Sequence, residues 1–364
     1  MGRSGLQEAV QQLRLGEIRM RDPFILEPVP GEFVLFGTSD QNVWGGPATG
    51  FDCYSSNDLE HWEGPIAAFR PPPGFWADTQ YWAPEVHVID GRFFMLATFA
   101  TSTGARPRGV AVLVSDRATG PYEPWSDGPV TPADEPCLDG TLHIDEDASR
   151  WLVYSRGPEG TSDRVGIADG EMYALRLSRD LRAGVGEPIL LFAASSAGWT
   201  RPLRFPDGGE PPKDLHLARD PLFTDGPFLL RSTEGTLLML WSSHGEAGYA
   251  IGIAESESGT ITGPWIHQDN PLWSSNGGHG MVLRASSGRD YLAFHWPNNT
   301  PDERVQLAEV EIKGSSVTIV TGSTGFSPAS AISPSPPVRL RFRPSRWTAP
   351  GWRTCSMSPA CPST

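Results

Sequence analysis

Residues 222–243 read LFTDGPFLLRSTEGTLLMLWSS: two apolar runs of strand length flank the turn STEG, and Asp225, Gly226 and Pro227 lead the first run. Short apolar runs bounded by Gly, Pro and Asp are the signature of antiparallel strands joined by tight turns. The next segment, YAIGIAESESGTITGPW (249–265), adds a third run and a closing turn before a short fourth.

The same grammar occurs in four other places. RDPFILEPVPGEFVLFGTSD (21–40) leads into FDCYSSNDLEHWEGP (51–65), and WAPEVHVIDGRFFMLATFA (82–100) into GVAVLVSDRATGPYEP (109–124). LDGTLHIDEDASRWLVYSRG (138–157) leads into MYALRLSRDLRAGVGEP (172–188), and GGHGMVLRASSGRDYLAFHW (277–296) into VQLAEVEIKGSSVTIV (305–320). Each unit has an opening strand headed by polar residues, a Gly- or Asp-rich turn, an apolar second strand, and a third strand closed by a polar turn. A repeated four-stranded antiparallel unit predicts an all-β, five-bladed β-propeller with four-stranded blades. We place the N-terminal extension at 1–17, the propeller at 18–314 and a Ser/Pro/Arg-rich tail at 315–364.

Composition agrees. The chain has 364 residues, 40 of them Gly and 35 Pro, and its formal charge of -14 argues against a nucleic-acid backbone as partner. No run of 18 apolar residues and no secretory apolar segment is present, which predicts no membrane partner and a cytoplasmic location. Leu6 stands where a myristoylation signal needs Ser or Thr. Cys53, Cys137, Cys355 and Cys361 have neither metal-ligand nor disulfide-framework spacing and read as free thiols. Thirteen Trp and 16 Phe suit both an apolar core and a sugar-binding cleft.

In a propeller the innermost strands line a central channel, so their leading residues converge although they are far apart in sequence. Reading one slot in every unit gives Asp22, Pro84–Glu85, Asp139, Asp225 and His279. A single Asp before Gly or Pro is an ordinary turn former; three at matching positions point to a shared site. Crowded carboxyls repel, which keeps one protonated beside an ionised neighbour and makes a general acid and base pair of the kind that glycoside hydrolysis needs.

The ordered set RDP, WAPEV, LDGTL, DGP and GGHG, spanning about residues 18–313, resembles the family-43 glycoside hydrolases. The resemblance implies an inverting glycosidase acting on α-L-arabinofuranosides or β-D-xylosides. It implies Asp22 as general base, Asp139 as the acid that tunes and orients the proton donor, and Asp225 as general acid. Asp225 departs from the usual EGP motif; together with WGGPATGFD, FWADTQYWAPEV and LMLWSSHGEAGYAIGIA, the DGP resembles a branch of the family and widens the sugar choice to galactofuranosides. Asp is about 1.5 Å shorter than Glu, so Glu85 and Glu246 stand as alternative donors. His279 resembles a channel histidine close to a structural Ca²⁺; no cofactor is expected for the chemistry itself.

Trp44 and Trp76 are expected as subsite walls, with Glu85, His244 and Arg304 as further substrate contacts; Arg108 is a further arginine able to reach hydroxyls, and Trp62 is expected in the core. Three functions are carried forward: an exo-acting inverting glycosidase, a sugar-binding propeller without hydrolysis, and another five-bladed propeller enzyme acting on fructosides or transferring glycosyl groups to phosphate. An acid–base separation of roughly 6.5–9.5 Å is the mark of the first. The tail is expected to be disordered from about 325, with VRLRF (338–342) as a strand able to dock on a blade, or to be a foreign end. The sequence does not determine the oligomeric state.

Overall fold

A computed structural model describes residues 11–104, 107–159, 166–204 and 216–320. The expected disorder from about 325 and the docking strand at 338–342 fall outside the described residues, whereas Ser316–Ile319, placed in the tail by the sequence, form the outer strand of blade 5.

Five antiparallel sheets follow one another along the chain, and no α-helix occurs among the described residues. Blade 1 contains β2 (Arg21–Val29), β3 (Glu32–Thr38), β4 (Phe51–Ser56) and β5 (His61–Phe69), with β1 (Gln11–Arg14) added along β5. Blade 2 contains β6 (Thr79–Ile89), β7 (Arg92–Ala100), β8 (Gly109–Ser115) and β9 (Glu123–Pro124). Blade 3 contains β10 (Cys137–Ile144), β11 (Arg150–Arg156), β12 (Glu171–Leu177) and β13 (Gly184–Ala193). Blade 4 contains β14 (Asp225–Arg231), β15 (Leu237–Gly245), β16 (Gly248–Ser256) and β17 (Trp265–His267). Blade 5 contains β18 (Gly278–Arg284), β19 (Asp290–Trp296), β20 (Arg304–Lys313) and β21 (Ser316–Ile319). The inner strands β2, β6, β10, β14 and β18 meet in ring order, β18 closing on β2. The chain is therefore the five-bladed propeller that its repeats predict, except that blade 1 carries a fifth strand. β1 belongs to the segment expected to be an extension; it covers the backbone edge that β5 would otherwise leave open.

Second strands are almost wholly buried, as in β15, because neighbouring blades pack against both of their faces. Trp62, expected in the core, has no exposed surface and donates Nε1 to the Leu59 carbonyl at 3.2 Å. Cys53 and Cys137 are buried free thiols. The ring closes where Arg19 bridges to Arg304 and donates Nε and Nη2 to Oε1 of the fully buried Glu303, at 3.1 and 2.8 Å.

All five inner strands carry a bulge near their start. Register shifts fall between Arg21 and Phe24, Trp82 and Glu85, Leu138 and Thr141, Asp225 and Phe228, and Gly278 and Met281. Each bulge contains a residue with positive φ: Asp22 (50°), Ala83 (46°), Asp139 (56°), Gly226 (50°) and His279 (54°). Bulges commonly re-aim side chains beside active sites. Two residues deeper, Phe24, Glu85, Thr141, Phe228 and Met281 form the next layer of the channel. Beyond that layer, away from the bulges and toward the far ends of the strands, lies a cavity of about 400 Å³ lined by all five inner strands.

Candidate active site

The bulge layer corrects the slot read from the sequence. Asp22, Asp139 and His279 are equivalent, but the matching residues of blades 2 and 4 are Ala83 and Gly226. Asp225 stands one residue earlier, in the position of Arg21, Trp82, Leu138 and Gly278, and Glu85 stands two residues later. The reason is the left-handed backbone at the bulge. Blade 4 fills it with Gly, and a Cβ at Gly226 would meet the His279 ring at 2.8 Å.

A polar residue closing each second strand secures this layer to the blade before it. Ala83 N–H donates to Thr38 Oγ1 at 2.8 Å, Asp139 N–H to Thr98 Oγ1 at 2.9 Å and His279 N–H to Ser242 Oγ at 2.9 Å. Asp22 N–H donates to His295 Nδ1 at 3.2 Å. In blade 4 the Ser155 hydroxyl bonds the Thr224 carbonyl instead, which leaves the Gly226 N–H to donate to Asp139 Oδ2 at 3.1 Å.

The carboxyls differ sharply in environment. Asp22 accepts from Thr38 Oγ1 at 2.6 Å, and its Oδ1 lies 3.2 Å from His279 Nδ1. Burial alone would raise the Asp22 carboxyl, but the charge and hydrogen bond of His279, then Arg21 and His295, hold it well below the usual carboxylate range. Burial works against a charged His279 as well, yet Asp22 and Asp139 overcome it and raise the imidazole to about 9. Asp139 is pushed up to about 6 by burial, with His279 opposing and the Asp22 charge adding. Asp225 is raised well above the ordinary range by burial, then by the charges of Asp139 and Glu159. One funnel thus holds an ionised and a protonated carboxyl.

His295 remains neutral, near 3, through burial and then the Arg21 charge. Its Nδ1 accepts from Asp22, so Nε2 carries the proton toward Asn298 Oδ1 at 2.9 Å; that oxygen also accepts from Arg21 Nη2 at 2.5 Å. Tyr249 donates its hydroxyl to Asp225 Oδ2 at 3.1 Å. Arg21, Glu159, Tyr249 and His295 were missed by the sequence reading. Arg21 left a signal as the first residue of the RDP motif, and His295 as the polar residue near the end of the second-strand run YLAFH, matching Thr38, Thr98, Ser155 and Ser242.

Other expected residues divide. Trp44 is 52% exposed, with Arg21 stacked at 4.9 Å from its ring and Trp82 edge-on at 5.9 Å. Arg108 lies over Trp82 at 4.3 Å and reaches Glu159 Oε1 at 3.3 Å. His244 contacts Tyr249, and burial, then Arg21, lowers it to about 4, so it is a neutral ring beside the acid. Glu85 lies a layer deeper, 3.2 Å from His87, and Glu246 is exposed and paired with Arg201; neither stands beside Asp225 as a substitute donor. Trp76 is half-buried and packs against Phe75 and Phe99. Arg304 donates to the carbonyls of Pro301 and Glu303, at 3.0 and 2.8 Å, and caps its own loop.

His279 was also expected near Ca²⁺. Its Nδ1 is engaged by Asp22, and no group of three or more His, Cys, Asp or Glu among the described residues is arranged to hold a metal. Nor is any helix among the described residues long and apolar enough to cross a membrane.

Comparison with known proteins bears on the chemistry. A comparison with curated proteins returns no match. Among solved structures, an endo-arabinase from Bacteroides thetaiotaomicron is 34% identical, covering 83% of this chain and 97% of that one at a TM-score of 0.71. A thermostable family-43 glycoside hydrolase is 22% identical, with coverage of 82% and 92% and a TM-score of 0.65, and supports the fold. The family model for glycosyl hydrolases family 43 matches residues 15–315, so the protein belongs to that family of carbohydrate-cleaving enzymes.

Proposed function

We propose that this glycoside hydrolase removes α-L-arabinofuranosyl residues in an exo mode with inversion, Asp22 acting as base, Asp225 as acid and Asp139 as the group that keeps Asp225 protonated. The observation that carries this reading is the contrast between Asp22, ion-paired with His279, and Asp225, set beside Asp139 without a cation of its own. Ionised Asp22 accepts a proton from water as that water attacks the anomeric carbon. Asp225 gives its proton to the departing oxygen. Asp139, fixed by the Gly226 N–H, favours the protonated donor through its charge. Trp44 and Arg21 offer a flat face and a cation for the next sugar.

The arabinose preference draws support from the 34% identical endo-arabinase. That same name favours a second reading, endo cleavage of arabinan, while β-D-xyloside and β-D-galactofuranoside remain the alternative sugars. The test is a panel of nitrophenyl glycosides beside linear arabinan, with products resolved by size and the new anomer followed by proton NMR. Arabinose released alone in inverted form supports the proposal. Early oligosaccharides would replace exo with endo, and tight binding without product would replace hydrolysis with recognition.

A further inference from the structure

Tyr249 links the two halves of the site. Its hydroxyl donates to Asp225 Oδ2 at 3.1 Å, and its ring stacks on His295 at 5.8 Å and 21°. His295 is the ring that accepts the Asp22 N–H. The phenol fits here because Gly278 has no side chain: a Cβ there would stand 2.3 Å from two carbons of the Tyr249 ring. The Tyr249 carbonyl accepts the Gly277 N–H at 3.0 Å, so backbone and ring are both held across the boundary of blades 4 and 5.

We propose that Tyr249 is a positioning residue for proton donation, holding one carboxyl oxygen of Asp225 so that the other carries the proton toward the leaving group. The inference rests on Asp225 being the donor. A carboxyl torsion is broad and two-fold, and an Asp has little length with which to correct a poor orientation. One fixed oxygen removes that freedom, which matters because proton transfer tolerates little misplacement. The phenol stays a donor throughout the working range, since burial and then the charge of Asp225 raise its pKa well above the ordinary value. The hydrogen bond favours the ionised carboxylate, so its removal moves the Asp225 pKa further up.

The experiment compares Tyr249→Phe, Gly278→Ala and Asp225→Asn with wild type on an aryl arabinofuranoside and an arabino-oligosaccharide across pH, with the Asp225 carboxyl titrated by ¹³C NMR in Asp-labelled protein. Tyr249→Phe should lower kcat on the oligosaccharide by about tenfold, leave KM and the aryl substrate nearly unchanged, and move the alkaline limb and the Asp225 titration upward. Gly278→Ala should do the same by displacing the ring while the hydroxyl stays in the chain. An unmoved Asp225 titration in Tyr249→Phe overturns the proposal even without turnover. Equal losses on both substrates would also overturn it. If Asp225→Asn itself shows no dependence on the leaving group, the donor assignment fails, while the titration still reports the Tyr249 contact.

Discussion

Nδ1 of His279 stands 3.2 Å from Oδ1 of Asp22, so the candidate base is one half of an ion pair contributed by blades 5 and 1. The cation depresses the carboxyl and the carboxyl raises the imidazole, each against its own burial.

This pair gives stability a pH signature. His279 is raised from 6.5 to about 9, so its contribution is complete below 6.5 and is lost as pH rises through 9. Asp22 is depressed, so its contribution is complete above its ordinary value of 3.8 and is lost in more acid solution. The Tm difference between wild type and His279→Gln should be largest between these limits and fade by pH 9. Differential scanning calorimetry across pH checks this; a constant difference would remove the ion pair from the account.

Removing either carboxyl should separate their roles. Asp22→Asn is expected to lower kcat by about 10²–10⁴ on every substrate, because water still needs its base. Asp225→Asn should lose a similar factor on oligosaccharides but much less on nitrophenyl glycosides, whose leaving groups need little protonation. Steady-state kinetics on both substrates decide.

Trp44 should act on binding. With half its ring exposed and Arg21 stacked on it, Trp44→Ala is expected to raise KM for arabino-oligosaccharides about tenfold. The kcat should change little, and a single-sugar aryl substrate should be nearly indifferent. A drop in kcat alone would remove Trp44 from the subsite.

Gly226 fixes the floor. Gly226→Ala introduces a Cβ 2.8 Å from the His279 ring at a φ of 50°, which should cost about 1–3 kcal/mol of stability and disturb the Asp22–His279 pair. Urea unfolding and the pH–rate profile of the variant measure both.

The ring latch should be stronger than a surface ion pair. Glu303 is fully buried and Arg19 is its cation, so Arg19→Met leaves a charge without a partner and should destabilise by about 3–5 kcal/mol. Double substitution with Glu303→Gln should recover much of that loss in chemical unfolding.

The sequence alone determined the repeat. Strand alternation and turn residues are local properties, so the runs in LFTDGPFLLRSTEGTLLMLWSS and its four counterparts were enough to read five blades, and the ordered motifs were enough to bring Asp22, Asp139, Asp225 and His279 to one channel. The tertiary structure decided what a linear reading leaves open. Whether the left-handed bulge falls on Asp225 or on Gly226 depends on pairing with Ser242, and that register sets Asp225 apart from Asp22. The Arg21–Asn298, Tyr249–Asp225 and His295–Asp22 contacts join residues from 24 to 277 positions apart. Side-chain charge states follow from such neighbours and from burial, which exist only once the ring has closed.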